Sequence, residues 1–600
     1  MSRKTIHVMN TTFRDGFQSA FGARVLTDDF IPAIKACREA GMTHFESGGG
    51  ATFQSLFFYC QENAFDMMDR FRQTVGPDAE LQTLARGINV VGLDSQPRDI
   101  VKLHAKLFKK HGVTTIRNFD ALNDVNNLIY SGQCIHEAGM NHEIVITLME
   151  LPPGCTGAHT VEFYRNCLEQ ILKAGIPFNS VCFKDASGTA TPFKVHETIR
   201  MARRLLPGDT KLVFHTHETA GCGTLCYKAA IEAGADQVDL SMAPISGGTC
   251  QPDIATLWHA LRGTDFELDV DIDKVLVAEK VLGECLAGYF MPPEAKAVEP
   301  LIPWAPMPGG ALTANTQMLR DNHQMDKYMD CIRAMGEVVR RGGYGTSVTP
   351  VSQFYFQQAF NNVMFGSWKK IAEGYGKMVL GYFGKTPVPA DPEIVKLASE
   401  QLQLTPTTEH PLDLNDRNPK KGIAAAKTML TENGLTDFTD ETIFIAATCQ
   451  EKGIAFLKGK GELGIRKHSP APAPQIPPPT PSGYTVKVND KIYSVQIKGQ
   501  AAIINGKSYD VSVTEGMEGL PPPSPHESAD STTIPSPMNA KVIKLMAAVG
   551  HAIQPGQVVC KLEAMKMEIE VRAPLEGTLS AIHVTVGQQV KSGQPLATIN

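Results

Sequence analysis

The sequence predicts an α/β protein in several parts: a closed parallel (β/α)8 barrel, a mainly helical continuation, and an all-β domain at the C-terminus. Three observations carry this expectation. Short β-rich runs recur every ~25–35 residues from residue 5 to about 250, with helical patterns between them. Two proline-rich stretches interrupt the last third of the chain. Beyond the second of these, a set of residues repeats once at a constant offset of about 37.

The β-rich runs are His7-Val8-Met9, Thr43-His44-Phe45, Leu81-Gln82-Thr83-Leu84, Thr114-Thr115-Ile116-Arg117, Ile144-Val145-Ile146-Thr147, Val181-Cys182-Phe183, Leu212-Val213-Phe214 and Val238-Asp239-Leu240. A doubly wound open sheet would alternate in the same way, so the count of eight decides for the barrel. Polar residues fall just beyond nearly every run: Arg14-Asp15, Glu46, Arg86, Asp120, Lys184-Asp185, and His215 with His217. In such barrels the chemistry sits at the C-terminal ends of the strands.

The barrel is expected over residues 1–265, and a mainly helical region over 266–467, with Ile272 to Leu286 and Pro392 to Gln403 as clear helical patterns. Residues 468–482 form a proline-rich linker of extended, semi-stiff character. From 483 to 514 apolar and polar residues alternate (Tyr484, Val486, Val488, then Tyr493, Val495, Ile497), which marks a small β element turned at Asn489-Asp490-Lys491 and Asn505-Gly506-Lys507. A second linker spans 515–534. In 535–600, Pro537, Ala540, Val549, Gly550, Gly556 and Gln557 recur as Pro574, Gly577, Val586, Gly587, Gly593 and Gln594. That repeat predicts two interlocked halves of a flattened sandwich. Two spacers around a small module suit a part that travels.

Composition narrows the classes. Six hundred residues exceed what one core organises. The net charge of −6, with no basic block, argues against a nucleic-acid surface. No apolar run is long enough to span a bilayer, and Met1-Ser2-Arg3-Lys4-Thr5-Ile6 lacks the apolar stretch of a secretory signal. The cysteines are scattered singly, and the pair Cys222 and Cys226 finds no second pair to complete a tetrahedral thiolate set. A cytoplasmic protein is expected.

His215-Thr216-His217 is the sharpest local signal. In a strand, residues i and i+2 point to one side, so both imidazoles can reach one ion. Imidazoles suit zinc, manganese, cobalt or iron, and Asp15 beyond the first strand is the candidate carboxylate. Lys184 is odd in such company. Either it is salt-bridged to Asp185 or Glu218, or its amine is a carbamate, which is anionic.

Glu563-Ala564-Met565-Lys566-Met567-Glu568, between the repeated halves, resembles the attachment segment of the biotinyl domain family, Ala-Met-Lys-Met. A lipoyl domain is the structural alternative, and the flanking methionines favour biotin. The resemblance implies biotin on Lys566, attached by a biotin protein ligase; Ala540 departs from a more usual glycine.

A second resemblance covers about 5–455. Thr11-Thr12-Phe13-Arg14-Asp15, Gly48-Gly49-Gly50-Ala51-Thr52-Phe53, Arg86-Gly87-Ile88-Asn89, the run Arg117 to Asp124, Phe183-Lys184-Asp185, His215-Thr216-His217, Ser246-Gly247-Gly248-Thr249, Pro308-Gly309-Gly310, Val348-Thr349-Pro350 and the run Val379 to Gly384 resemble one family. It is the carboxyltransferase family of pyruvate carboxylase, transcarboxylase and the oxaloacetate decarboxylase α subunit. The resemblance implies a divalent metal (zinc, or manganese or cobalt) held by Asp15, carboxylated Lys184, His215 and His217. It implies Arg86 as anchor for a 2-oxo-acid carboxylate, Gln18 at the substrate carbonyl, and Thr349 as proton carrier between the substrate methyl group and biotin. Thr349-Pro350 read from the residues alone is a turn or helix start.

The family pattern is broken at Gly16-Phe17, at Ser47 and at Ala186-Ser187, which is expected to alter the pocket wall and leaves the 2-oxo acid open. The layout fits an oxaloacetate decarboxylase α subunit served by membrane subunits. It fits equally the biotin-carrying half of a two-part pyruvate carboxylase, served by a separate biotin carboxylase chain. An inactive biotin-carrier scaffold is the reading from another class, and an aldolase or isopropylmalate-synthase-like lyase leaves Lys566 unexplained. A homo-oligomer is expected.

Overall fold

A computed structural model describes residues 3–468 and, beyond them, 484–488, 491–498, 501–505, 507–510, 532–564 and 567–600. Both proline-rich linkers therefore fall largely outside the described residues, as do Met565 and Lys566. The chain divides into two compact units, Met1–Lys467 and His468–Asn600.

In the first unit all eight expected runs are strands: β1 (Lys4–Asn10), β2 (His44–Gly49), β3 (Glu80–Ala85), β4 (Thr115–Asn118), β5 (Asn141–Thr147), β6 (Ser180–Asp185), β7 (Lys211–Thr216) and β8 (Gln237–Leu240). Neighbours pair in parallel. β1 pairs with β8, His7 opposite Gln237, and meets β2 at Asn10 opposite Phe45, so the sheet closes on itself. The strands are rich in β-branched residues, as in Ile144-Val145-Ile146, which pack well on a pleated surface.

Side-chain caps start several of the outer helices. Thr160 accepts from the Phe163 N–H and Thr191 from the Lys194 N–H, with Pro192 in the first turn of the second helix. Left-handed Gly175 and Gly234 end two of them.

The barrel centre is not a stack of aliphatic layers. Gln82, Arg117, Glu143 and Asp239 are buried and face one another across it. Arg117 pairs with both Glu143 and Asp239, and Gln82 donates to Glu143 at 3.0 Å. Charges buried this deeply persist only when paired and hydrogen-bonded.

Beyond β8 the unit is mainly helical, with Ile272–Leu286, Gly309–Asp321, Tyr328–Arg341, Val351–Phe365, Pro392–Leu402 and Asp440–Leu457 among its helices. Helix Pro392–Leu402 stops one residue short of the sequence pattern because Gln403 takes the left-handed capping conformation. The loop before Val351–Phe365 is stitched to the barrel mouth. Thr346 N–H donates to the Ala121 carbonyl at 2.8 Å, Thr147 and Thr346 share a hydroxyl hydrogen bond at 2.8 Å, and the His159 ring meets the Tyr344 carbonyl at 2.8 Å. Thr349 hangs from this anchored loop.

In the second unit, strands Tyr484–Val488, Lys491–Lys498, Ala501–Ile504 and Lys507–Asp510 form an antiparallel meander. The C-terminal β-unit has two four-stranded sheets. Strands Ala540–Leu545, Ala552–Ile553 and Val558–Ala564 recur as Gly577–Ile582, Gln589–Val590 and Pro595–Ile599. Each half bonds to the other by the same rule. Gly556 N–H reaches the Ala573 carbonyl as Gly593 N–H reaches Ser536, and Gly550 N–H reaches Leu579 as Gly587 N–H reaches Val542. Gly550 and Gly587 have φ of 91° and 92°, a turn conformation that favours glycine. Strands Val558–Ala564 and Met567–Arg572 pair with Ala564 opposite Met567.

Candidate metal and substrate site

The strand ends bring the expected donors together. Asp15, two residues into the turn after Phe13, and His215 and His217, at and beyond the end of β7, place their ligand atoms within 4.8 Å of one another, and all three are buried. His215 Nε2 lies 3.2 Å and His217 Nε2 3.4 Å from Asp15 Oδ2. Lys184, at the register position beside His215, brings its Nζ to 2.6 Å from His215 Nε2 and 3.3 Å from Asp15 Oδ2. Neither salt bridge considered for Lys184 forms. Asp185 instead accepts from the Ala190 N–H and the Ser187 hydroxyl, and Glu218 accepts from Gly223 and Thr224.

The electrostatics suit a cation. Burial works to raise the Asp15 pKa, yet Arg14, Lys184 and His217 hold its carboxyl well below the usual range. Burial, opposed by Asp15, lowers the Lys184 pKa, which favours the neutral amine that carbamate formation needs. Burial and then Lys184 push His215 down as well.

A ring of outer partners fixes the imidazoles. His215 Nδ1 lies 2.8 Å from Asp239 Oδ2. Arg117 and His215 hold that carboxylate ionised despite its burial. His217 Nδ1 lies 2.7 Å from the Thr249 carbonyl. Both acceptors lack protons, so each Nδ1 carries one and each Nε2 lone pair faces Asp15. That is the arrangement a metal-binding histidine needs, and the donor set fits a divalent ion.

Two contributors are absent from the sequence expectations. Asp239 reads there only as part of a strand. Gln251, fully buried, places its amide nitrogen 3.0 Å from His217 Nε2 and 3.3 Å from Asp15 Oδ2, with its oxygen 2.8 Å from the Thr11 hydroxyl. A carboxylate inside the apolar run Val238-Asp239-Leu240 is the one available signal for the first. The second has none.

A cavity of about 350 Å³ opens over these donors. Arg14, Asp15, Gln18, Arg86, Lys184, His217 and Thr349 line it, with Leu84, Phe119, Ala186 and Val348 as apolar wall and Pro308 and Gly310 at one side. Its cations differ. Arg14 is neutralised by Asp15 and Glu46. Arg86 is 3% exposed and has no carboxylate partner among the described residues. Its Nη1 is clamped by the Val91 and Gly92 carbonyls at 2.8 and 2.9 Å, and its Nε finds no acceptor. Burial, then Arg14, lowers its pKa to about 9, still above neutrality. A buried guanidinium without an acidic partner calls for an anion. Gln18 is fixed by the Arg14 Nη1 donor at 3.3 Å.

The departures from the family pattern fall elsewhere than expected. Phe17 does not line the cavity. It packs with Phe13, Phe21 and Phe30 at ring-centroid distances of 5.8, 6.4 and 5.2 Å, because the short helix it starts turns that face toward the barrel wall. Ser47 is buried in β2, its hydroxyl against the Gln82 carbonyl. Of these positions only Ala186 reaches the lining. Among the described residues no helix is long and apolar enough to cross a membrane.

Comparison with known proteins agrees with this construction. Residues 119–282 match the HMGL-like family model, 302–497 the conserved carboxylase domain, and 532–599 the model described as biotin-requiring enzyme. A pyruvate carboxylase subunit of Methanocaldococcus jannaschii is 28% identical over 577 residues, 94% of each chain. The 2-oxoglutarate carboxylase large subunit of Hydrogenobacter thermophilus is 26% identical, covering 95% of this chain and 91% of its own. The methylmalonyl-CoA carboxyltransferase 5S subunit of Propionibacterium freudenreichii is 28% identical over 76% of this chain and 88% of its own. The carboxyl transferase domain of Rhizobium etli pyruvate carboxylase has the same fold, with a TM-score of 0.69 at 22% identity over 85% of this chain and 88% of that one.

Proposed function

This chain belongs to the biotin-dependent carboxyltransferases, and we propose that its barrel moves a carboxyl group between a short 2-oxo acid, pyruvate or oxaloacetate, and biotin on Lys566. One observation carries the reading: a single cavity holds Arg86, a buried guanidinium without an acidic partner, beside the donors Asp15, Lys184 and His217 and the hydroxyl-bearing Thr349.

In this reading Arg86 takes the carboxylate next to the keto group, in the two-pronged manner its planar fork allows. Removing or adding the neighbouring carboxyl group throws negative charge onto the keto oxygen. Arg86 and the cationic face of the site meet that charge in a place already organised for it. A divalent ion held by Asp15, His215, His217 and a carbamate on Lys184 would add Lewis acidity there. Gln18, fixed by Arg14, orients the keto group. Thr349 hands a proton to or from the substrate methyl carbon, a task in which position matters more than basicity. Leu84, Phe119 and Val348 keep water from the carbanion-like carbon.

The partner sets the direction. The relatives that match over nearly their whole length include two chains named as subunits of pyruvate carboxylase, and we propose a separate biotin carboxylase chain as partner here too. The same site also serves oxaloacetate decarboxylation, in which membrane subunits would be the partner.

The test is turnover by the biotinylated, metal-loaded chain. Oxaloacetate should disappear in a reaction that avidin stops, and adding a soluble biotin carboxylase with ATP and bicarbonate should carboxylate pyruvate. Failure of both, with metal and biotin present, would sink the reading.

A further inference from the structure

The motif Pro308-Gly309-Gly310 has no part in the chemistry above, yet Pro308 and Gly310 line the cavity. It begins the helix Gly309–Asp321, whose 13 residues give it a developed dipole, and Pro308 supplies no side-chain cap. The first backbone N–H groups of such a helix lack partners within it and carry about half a positive charge between them. Among the described residues, no acceptor bonds to the N–H of Gly309 or Gly310. The glycines permit the close approach. A Cβ on Gly309 would stand 1.7 Å from the Thr249 carbonyl, the group that holds His217, and one on Gly310 would stand 3.2 Å from the Gln18 carbonyl.

The second observation is Arg86. It lines the same cavity, is buried, has no acidic partner among the described residues, and its Nε is unsatisfied. Two electropositive groups thus face one small space. Oxaloacetate would bring two carboxylates into it. We propose that the Gly309 and Gly310 N–H groups seat the second carboxylate of a four-carbon 2-oxo acid, the one to be transferred, while Arg86 holds the first. This rests on the reading given under Proposed function. A helix terminus suits that seat better than a second arginine. Its partial charge orients the group without clamping an anion that must leave as CO2.

Calorimetric titration of the metal-loaded full chain with malate and lactate isolates the seat, since these hydroxy acids differ by one carboxylate and do not decarboxylate. The wild-type chain should bind malate about three- to thirty-fold tighter than lactate, the range expected for an anion at a helix N-terminus. Proline is tolerated in a first helical turn and removes the N–H, so Gly310→Pro should abolish the preference. Gly310→Ala adds the same Cβ but keeps the N–H and should retain it. Equal ratios in the two variants would overturn the proposal. Should Gly310→Pro fail to fold, the 4-methyl ester of malate decides on the wild-type chain alone: ester binding as tight as malate overturns the seat. Binding of neither acid to the wild-type chain would instead count against the substrate reading itself.

Discussion

At the barrel mouth the reactive side chains are buried and oriented by charges, whereas the C-terminal β-unit sets the segment around Lys566 on a scaffold held by packing and repeated turns. Its described ion pairs, Lys561–Glu570 and Arg572–Glu570, are solvent-exposed, where such pairs add little. The barrel pairs Arg117 with Glu143 and Asp239 out of reach of water. The difference follows from the tasks. A site that stabilises developing charge must have its dipoles fixed beforehand. A carrier needs only a stable frame and one modifiable lysine. Damage to one unit should therefore read out as lost geometry, and damage to the other as lost cargo or lost packing.

The largest effect separates the two outright. Lys566→Arg should abolish biotin incorporation, seen as loss of the biotin mass increment, and with it all avidin-sensitive turnover. Metal content should stay unchanged. Biotin still present on the variant would mean that another lysine is the carrier.

Acid should next divide them by stability. His104, His142 and His159 are buried in the barrel unit, and burial pushes them down to about 3, about 4 and about 4. Below about pH 6.5 the unfolded chain takes up protons that the folded one refuses. Stability is present above that pH and is lost as pH falls toward 4, by roughly 1.4 kcal/mol per pH unit for each histidine. The C-terminal β-unit has only the exposed His551 and His583 among its described residues. Calorimetry of the full chain should show the barrel transition falling much further than the C-terminal one between pH 6.5 and 4. Parallel shifts would contradict the contrast.

Asp239→Asn probes the charge network that the β-unit lacks. The substitution keeps the shape but offers His215 Nδ1 an amide in place of a carboxylate, and leaves Arg117 under-paired. Loss of such an outer partner costs about 10–100-fold in metal affinity. Competition against a chromophoric chelator measures it, and an unchanged constant would show that the tautomer is fixed in some other way.

These contrasts also mark how far the sequence can be read. The eight strands are legible because β-branched runs and interrupting helices leave local signatures, and the donors because they sit at strand ends. Local reading fails where partnership spans the barrel. Asp239 meets His215 from the neighbouring strand, and Gln251 reaches the ligands from a loop with no pattern of its own. Phe17 and Ser47 depart from expectation for a related reason. A family pattern says which residue is unusual, but only the helical turn after β1 says which way it faces. The repeat is legible because its turns demand glycine twice.

The smallest predicted effect lies within that repeat. Ala540 and Gly577 occupy equivalent positions, yet a Cβ on Gly577 would stand 2.4 Å from Ile599 Cγ2 and 2.5 Å from the Asn600 carbonyl, while Ala540 is accommodated and buried. The halves are thus equal in hydrogen bonding and unequal in packing, because only one of them closes against the chain end. Gly577→Ala should destabilise the C-terminal transition by about 1–3 kcal/mol through overpacking. Ala540→Gly should cost only about 0.5–1 kcal/mol through chain entropy. Denaturant melts of the full chain, followed by a probe in the C-terminal unit, compare the two directly. Equal losses would mean that the alanine's unusual presence at 540 is as tightly packed a choice as the glycine at 577.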